Sequence, residues 1–271
     1  MASSTRCVRN VYVSTSQRDK TAYPSPSDFA IMLPVTLKQV SGVLVKNYKF
    51  TPEPLVNANT SAVAYYGLTG TTNLSGTVYI AKGDYAQDVN QLLAAINAQL
   101  NSFDVQFTVS PSGLIGLAFA GSYINRFFAI PYCGMLRALG FTSGIYLYRT
   151  GYAPSTAALP NNMTSYANVA TSAAVFRMVN NTDLILRIND VETIIANDGP
   201  SNRATAILMG SRSPACIIEN TQCNVFPLLQ IQYRIQQLRI QILNTYGEPY
   251  DLSTDDASFM IEFHHDTADL M

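Results

Sequence analysis

The most regular pattern of apolar and polar positions lies in residues 76–109. Val78 and Ile80 alternate with polar neighbours, and over residues 103–109 the apolar period is again two. Between these stretches, Asp84 and Gln87 have the spacing of a capping box. Apolar residues then recur at helical spacing on a ground of Ala, Gln and Asn: Val89, Leu92, Leu93, Ile96 and Leu100. The pattern predicts a strand–helix–strand unit whose helix packs on the strand that follows it.

The rest of the chain shows the two-residue alternation of β-strands, punctuated by Pro and Gly. Pro34 is expected to end an early strand. Residues 55–75 are expected to be a surface loop or an irregular edge, and residues 149–172 are expected to be loop-like. The run MLRALGF fits either a helical turn stopped by Gly140 or a packed loop. The apolar phase slips by one residue after Ile235, which predicts a β-bulge at Gln236-Gln237. Strands are expected at residues 11–13, 29–33, 40–50, 115–119, 184–188, 229–235, 238–242 and 259–263.

Many short strands and a single helix predict the fold class. We expect a mainly β protein, a single jelly-roll β-sandwich with a strand–helix–strand insertion carrying one main α-helix. The expected domain spans residues 1–271, with an inserted strand–helix–strand–strand unit at about 76–120. A chain of 271 residues is long enough to bury a core of this kind.

The composition bears on which partners the chain can have. Charged residues make up 13% of the chain, about half the usual share of a soluble domain. Such a surface is expected where neighbouring subunits cover it, although a polar, uncharged β protein would have the same composition. Lys and Arg number 17 against 18 Asp and Glu, and no Lys follows Lys82. Binding to nucleic acid needs concentrated positive charge, so we do not expect it.

The sequence also bears on the compartment in which the protein is made. The first ten residues, MASSTRCVRN, lack the apolar core of a signal peptide, and no apolar run is long enough to span a membrane. The four cysteines are Cys7, Cys133, Cys216 and Cys223, and they lack the close spacing of a metal site. We therefore expect a protein made in the cytosol, with reduced thiols and no direct membrane insertion.

We searched the sequence for catalytic, cofactor-binding and metal-binding residues and predict none. His264 and His265 are adjacent on a strand, so they point to opposite faces and are expected to be its solvent-facing end. Asp251, Asp255 and Asp256 lack the spacing of a calcium loop and fit a polar turn. A pair of catalytic carboxylates on separate strands stays open at this stage. We expect that the protein is not an enzyme.

Three blocks of sequence follow one another in an order that is typical of one group of viral proteins. In the first block, an Arg18-Asp19 turn and a step from Pro26 to Phe29 precede a long strand. The blocks read VYVSTSQRDKTAYPSPSDFAIMLP with LKQVSGVLVKNYKF, then VYIAKGDYAQDVNQLLAAIN with FTVSPSGLIGLAF and LRALGF, and finally LRIQILNTYGEPYDLSTDDASFMIEF. In this order they resemble the minor capsid proteins of nucleocytoplasmic large DNA viruses and their virophages.

The resemblance implies a single jelly roll that builds an icosahedral capsid, as a penton or as another minor capsid protein. The length is similar to that of penton proteins, which form pentamers at five-fold vertices, whereas double-jelly-roll major capsid proteins are much longer. The implied partners are further copies of this chain and other capsid proteins, including the major capsid protein. The implied location is the virion capsid, after synthesis and assembly in the host cell cytoplasm.

Two segments are expected to make contacts between subunits. The first is the arm from Ser14 to Phe29, which Pro24 and Pro26 hold extended. The second is the polar loop at residues 197–214, around the short AILM run, which is expected to be mobile or to make contacts. An arm packed on its own domain stays an equal alternative. The predicted interface residues of the arm are Ser14, Gln17, Arg18, Asp19, Tyr23 and Phe29.

A different class of protein also fits the sequence. A carbohydrate- or receptor-binding β-sandwich, as in a viral fibre or baseplate, would use tyrosines in exposed loops. The chain offers Tyr146, Tyr148, Tyr152 and Tyr166 for such a site, although tyrosine is equally common in β cores. Selective glycan binding would distinguish this class from a capsid subunit.

Overall fold

The computed structural model describes residues 7–69, 72–83, 85, 88–100, 104–120, 125–149, 162–176, 183–189, 191–194, 203–209, 217–219, 225–252 and 256–265. The helices are α1 (Val89–Leu100) and α2 (Gly134–Ala138). The first strands are β1 (Cys7–Ser14), β2 (Asp28–Lys49), β3 (Ala62–Thr69), β4 (Thr72–Tyr79), β5 (Val105–Val109), β6 (Ile115–Phe119), β7 (Asn125–Ile130), β8 (Gly144–Tyr148), β9 (Met163–Ala167) and β10 (Val169–Thr171). The later strands are β11 (Asp183–Ile188), β12 (Thr193–Ile194), β13 (Arg203–Ala204), β14 (Ala206–Met209), β15 (Ile218–Glu219), β16 (Phe226–Leu243) and β17 (Ser258–His265).

The chain divides into two compact units. Unit 1 combines residues Met1–Glu53 with Asn181–Met271, and unit 2 is the contiguous stretch Pro54–Asn180. The strand–helix–strand–strand insertion expected at about 76–120 lies within unit 2. The assignment of the chain to a single domain stays a prediction.

Unit 1 is built on one antiparallel sheet that curls around its own core. The strand order is β1-β17-β2-β16-β11-β14, and β15 pairs with the end of β2. Val13 on β1 and Leu208 on β14 belong to the same buried cluster, although they lie at opposite ends of that order. Neighbouring strands are about 4.8 Å apart, so a flat sheet would hold these two strands more than 20 Å apart. The sheet therefore curls until both ends face one core.

The two long strands of unit 1 are irregular where they pair. The residue pair Ile235–Leu37 is followed by the pair Gln237–Met32, so β2 carries extra residues at this point. The irregularity lies where the phase slip predicts a β-bulge, and that prediction is confirmed. The expectation that Pro34 ends a strand is wrong, because Pro34 lies inside this bulge, where it owes no ladder hydrogen bond.

Unit 2 is a sandwich of two sheets around a second core. One sheet has the order β4-β3-β7-β8-β9, and the other has the order β10-β6-β5. Residues from both sheets and from both helices form one buried cluster. The short helix α2 lies in the MLRALGF run, and Gly140 follows it with a φ of 87°, so the helical-turn alternative is confirmed.

The N-terminal part of unit 2 differs from the sequence prediction. Residues 55–75 were expected to be a surface loop or an irregular edge, and the loop alternative is wrong, because they contain β3 and the start of β4. Alternation is hidden there because small residues occupy positions that strands usually fill with large apolar ones. At Gly67, an added Cβ would lie 2.7 Å from the carbonyl oxygen of Phe127 on β7, so close strand packing requires the small residue. The loop expected at 149–172 likewise contains β9 and β10.

Helix α1 confirms the principal prediction from the sequence. It spans Val89–Leu100, and all five apolar positions of its predicted face are buried. The predicted capping residues Asp84 and Gln87 lie outside the described residues. Instead, the Asp88 carboxylate accepts a hydrogen bond from the N–H of Asn90 at 2.9 Å, which is the geometry of an N-cap.

Two side-chain amides join α1 to the edge strands of both sheets of unit 2. On β5, Phe107 donates its N–H to the Asn97 Oδ1 at 2.8 Å, and the Asn97 Nδ2 donates to its carbonyl at 2.9 Å. Gln99 makes the same pair of bonds with the N–H and carbonyl of Tyr79 on β4, at 3.0 and 2.6 Å. Each amide takes the place of a missing strand neighbour, so α1 covers one edge of each sheet.

The predicted fold class is confirmed. The described residues form mainly β structure, arranged as curled or sandwiched sheets, with one main α-helix. The closing strand β17 is present as expected, and its residues Phe259, Ile261 and Phe263 are fully buried.

Candidate subunit-contact surface

The first residues of the predicted arm are hydrogen-bonded to the segment that leads into strand β17 of unit 1. Thr15 donates its hydroxyl to Asp256 at 2.9 Å, and its backbone N–H bonds to the carbonyl of Ala257 at 2.9 Å. Ser14 is 5% exposed and caps a short 3-10 helix at Thr15–Gln17. Phe29, at the other end of the arm, is completely buried in the core of the same unit. Both ends of the arm therefore contribute to the fold.

Arg18 organises the middle of the arm. Its guanidinium donates to the carbonyl oxygens of Thr15 at 2.7 Å and Tyr23 at 3.1 Å. The Asp19 carboxylate accepts from the N–H of Thr21, which closes the turn that follows. The Tyr23 ring is half-buried against the unit 1 core, whereas the Gln17 and Asp19 side chains are exposed. The structure thus holds the arm against its own unit, and the interface role of the six predicted residues stays a prediction.

The AILM run, which the sequence places in a contact-making loop, forms the edge strand β14. Ile207 is 50% exposed and Met209 is 68% exposed, whereas Leu208 is buried in the core. The strand pairs with β11 on one side only within the described part of the chain. It carries none of the charges or prolines that usually protect a sheet edge. An apolar, unprotected edge of this kind is typical of a contact surface.

The opposite edge of the unit 1 sheet is β1. Its first four residues, Cys7–Asn10, are exposed on both faces of the strand. Val11 and Val13 face the core, so Val8 and Tyr12 lie on the outer face, where both are exposed. The sequence predicted a strand only at residues 11–13, because apolar residues do not recur at every second position in Cys7–Asn10.

Further apolar side chains are exposed where the long strands of unit 1 bulge. Met32 and Val35 flank the bulge of β2, and Leu229 and Ile231 lie in a second irregular stretch of β16. The alternation of residues 229–235 predicts that Leu229 and Ile231 share the face of Ile235. The pairing is irregular between Pro227 and Gln232, and there the two side chains are exposed. Unit 1 thus carries exposed apolar groups on both edges and along its longest strand pair.

Buried polar groups of unit 1 lie around Glu53. Its carboxylate accepts from the N–H of Asp251 at 2.6 Å, and its own N–H donates to the hydroxyl of Tyr250 at 3.0 Å. Burial raises the pKa of Glu53, the nearby charges of Asp251 and Glu248 add to the rise, and hydrogen bonds from the Asp251 backbone and Asn244 oppose it. The resulting pKa is about 7. Burial likewise raises the pKa of the Tyr250 hydroxyl. These bonds join the turn at 244–251 to the segment before unit 2.

The two histidines are buried, so the expectation that they face solvent is wrong. His264 bonds through Nε2 to the Glu262 carboxylate at 2.8 Å, and His265 bonds through Nδ1 to the carbonyl of Lys38. The other ring nitrogen of each has no hydrogen-bond partner among the described residues. The prediction failed because strand alternation gives the direction of a side chain, whereas its burial depends on what packs above it.

An aromatic group covers the outer face of the five-stranded sheet of unit 2. Phe127 on β7 and Tyr146 on β8 stack with ring centroids 5.1 Å apart, and Tyr66 on β3 meets Phe127 edge-on. The hydroxyl of Tyr66 reaches the Sδ of Met163 on β9 at 3.1 Å. The rings are half-buried, and part of each is covered by its aromatic neighbours.

The described parts of both units contain neither a metal-binding cluster nor a membrane-spanning helix. There, no group of three or more His, Cys, Asp or Glu side chains is arranged to hold a metal ion. No helix within the same residues is long and apolar enough to cross a membrane. Cys7 and Cys133 are free thiols, and Cys216 and Cys223 lie outside the described residues.

Comparison with known proteins gives structural likenesses but no match by sequence. No protein-family model and no curated protein matches the chain. Among solved structures, the crystal structure of the selenomethionine-labelled penton protein of mavirus is similar over 96% of this chain and 99% of that chain. The identity is 11% and the TM-score is 0.38. At these values the likeness establishes neither a family nor a function for this chain.

Proposed function

We propose that this chain is a structural virion protein, a penton or other minor capsid protein of a large DNA virus with an icosahedral capsid. The observation that carries the proposal is the uncharged, unprotected edge strand β14, with Ile207 and Met209 exposed on a curled β sheet. A monomer would leave this edge open to uncontrolled aggregation, whereas a capsid subunit covers it with a neighbour. The low charge of the chain and the three sequence blocks that resemble minor capsid proteins support the same function.

In this proposal the protein acts by assembly and is not an enzyme. Its partners are further copies of itself, as a pentamer, and other capsid proteins that include the major capsid protein. It does not bind nucleic acid, because its Lys and Arg are few and are balanced by Asp and Glu. It works in the virion capsid after assembly in the host cell cytoplasm.

The proposal is tested by the oligomeric state of the purified chain. Native mass spectrometry and negative-stain imaging should show closed rings of five copies. Rings with another copy number would retain a capsid role but contradict the penton assignment. A chain that stays monomeric up to its solubility limit, both alone and mixed with the capsid proteins of its virus, would overturn the proposal.

A second candidate function is the binding of a glycan or receptor. The supporting observation is the aromatic group of unit 2, in which Tyr146 and Tyr148 are half-buried and carry hydroxyl groups. Tyr166 instead packs against the core, and Tyr152 lies outside the described residues. The rings stack on each other, which leaves less flat surface for a sugar. A glycan array with the wild-type protein and a Tyr148→Ala variant tests this candidate, since selective binding that the variant loses would favour it over the capsid role.

A further inference from the structure

Within the described residues, the unit 1 sheet ends in two edge strands whose exposed parts match in length. Residues Cys7–Asn10 of β1 are exposed on both faces, and β14 is also four residues long. Neither strand has a second neighbour among the described residues. The hydroxyl of Tyr48 bonds to the carbonyl of Met209 at 3.1 Å, which holds the end of β14 on its own unit. Both strands are therefore held in place on their own unit, each with one side turned away from the described part of the sheet.

The faces of the two strands determine how they can be joined. On β14, Ala206 and Leu208 face the core, so Ile207 and Met209 are on the outer face. On β1, the outer face carries Val8, Asn10 and Tyr12, since Val11 and Val13 face the core. If two sheets are joined with their outer faces on the same side, Val8 lies opposite Ile207 or Met209.

We propose that β14 of one copy pairs with the exposed half of β1 of a second copy, so that the sheets of two unit 1 domains become continuous. This inference rests on the proposed function, since it names the contact through which a capsid subunit would assemble. The shared outer face contains Val8, Asn10, Ile207 and Met209 and therefore no charged group. Arg9, the one charged residue of the exposed half of β1, is on the other face of the strand, where it is exposed in the single copy. Because the two edges differ, the contact is heterologous and uses one edge from each copy.

The contact is expected to be too weak to hold an isolated dimer together and strong enough to act within a closed oligomer. Four residues of new ladder form about four hydrogen bonds at most, and each adds little net stability because water offers the same groups partners. Burial of two or three apolar side chains adds a limited further gain. These gains are close to the cost of association, so a single contact is weak and closure of an oligomer is needed to stabilise it.

The proposal is tested with two proteins that each carry one new cysteine. Both have Cys7→Ser, which removes the native thiol of β1. The first adds Val8→Cys, and the second adds Ile207→Cys or, in a parallel preparation, Met209→Cys. Residues facing each other across an antiparallel pair have Cα atoms about 4.5–5.5 Å apart, within the range of a disulfide. The proteins are oxidised alone and after mixing, and dimers are measured on a non-reducing gel.

We expect a disulfide-linked dimer in the mixture, at a level several-fold above that of either protein alone. The matched control replaces the second protein with a Val109→Cys variant, whose cysteine lies at an exposed position at the end of β5 in unit 2 and should give no increase. Circular dichroism verifies that each variant is folded.

Four results would overturn the edge pairing. Dimers of the Val8→Cys protein alone would mean that β1 pairs with itself, and dimers of a β14 variant alone would mean that β14 pairs with itself. Oligomers in native mass spectrometry without any mixed disulfide would reject this contact and leave the capsid function standing. A protein that is monomeric in all preparations would overturn both proposals.

Discussion

The fold strongly raises the pKa of the Glu53 carboxyl group. Its pKa in the folded chain is about 7, against an ordinary value of 4.5, because the group is removed from water. Between these two values the folded chain binds more protons than the unfolded chain. The free energy of unfolding therefore falls as the pH rises from about 4.5 through 7, and the loss is complete above 7.

Replacing Glu53 with Gln should remove this pH dependence. Gln keeps an oxygen that accepts from the N–H of Asp251, but it has no proton to lose. A shift from 4.5 to about 7 corresponds to a stability change on the order of 3 kcal/mol. Urea unfolding from pH 4 to 8.5 should show this decline in the wild type and a flatter profile in Glu53→Gln. The same change at half-buried Glu192 serves as control, and a Glu53→Gln profile parallel to the wild type would contradict the assignment.

Arg18 is the residue on which the order of the arm depends. Replacing it with Glu removes its hydrogen bonds to the carbonyls of Thr15 and Tyr23 and adds a charge that repels them. We expect faster cleavage by a protease within residues 15–24 and a change of mass in native mass spectrometry if the arm contacts a neighbouring copy. Lys20→Glu makes the same charge change at an exposed site two residues away and should cause neither effect. Unchanged assembly of Arg18→Glu would reject the arm as an interface.

At the scale of secondary-structure elements, α1 covers one edge of each sheet in unit 2 and pairs with backbone groups there. Asn97 and Gln99 each offer one donor and one acceptor, which is what the next strand of a sheet would offer. The apolar side of the helix is buried in the core at the same time. The edges of unit 1 have no such helix in the described residues, which is why we place the contact surface there and not in unit 2.

The amide pairs of α1 should differ in their contribution to stability. Asn97→Ala leaves the partly buried N–H and carbonyl of Phe107 without partners, so it should lower the free energy of unfolding by about 1–3 kcal/mol. Gln99→Ala acts at an exposed site, where water replaces the amide, and should cost less than about 1 kcal/mol. Gln91→Ala, on the exposed side of the same helix, is the control. Equal effects at positions 97 and 91 in urea unfolding would show that the amide pair is not stabilising.

At the scale of the whole molecule, the absence of charge from the outer faces of β1 and β14 determines how assembly should respond to salt. Salt screens attraction between charges and has little effect on apolar burial and backbone hydrogen bonds. We expect the association constant, measured by sedimentation velocity, to change by less than about threefold between 0.05 and 0.5 M NaCl, because no ion pair forms at the contact. A decline of tenfold or more would show that charged groups elsewhere hold the copies together.

The sequence by itself determined the features that depend on local periodicity. The helix at 89–100, its buried face and the closing strand all follow from the spacing of apolar residues over a few turns or pleats. The bulge near Gln236 also follows, because a one-residue slip of phase must be absorbed within the same strand. The low share of charged residues is a property of the composition, so the sequence shows it without the structure.

The tertiary structure alone decided which strands have neighbours. Pro34 lies within a strand because β16, two hundred residues later, leaves a gap in the pairing at that point. His264 and His265 are buried because other residues pack over them. Helix α1 bonds to β4 and β5 through single side-chain amides, which the periodicity of the sequence does not predict. The AILM run was visible as a short apolar segment, but its place at the open edge of a curled sheet depends on the pairing of residues far apart in the chain. Periodicity describes a segment, whereas an edge is a property of the whole sheet.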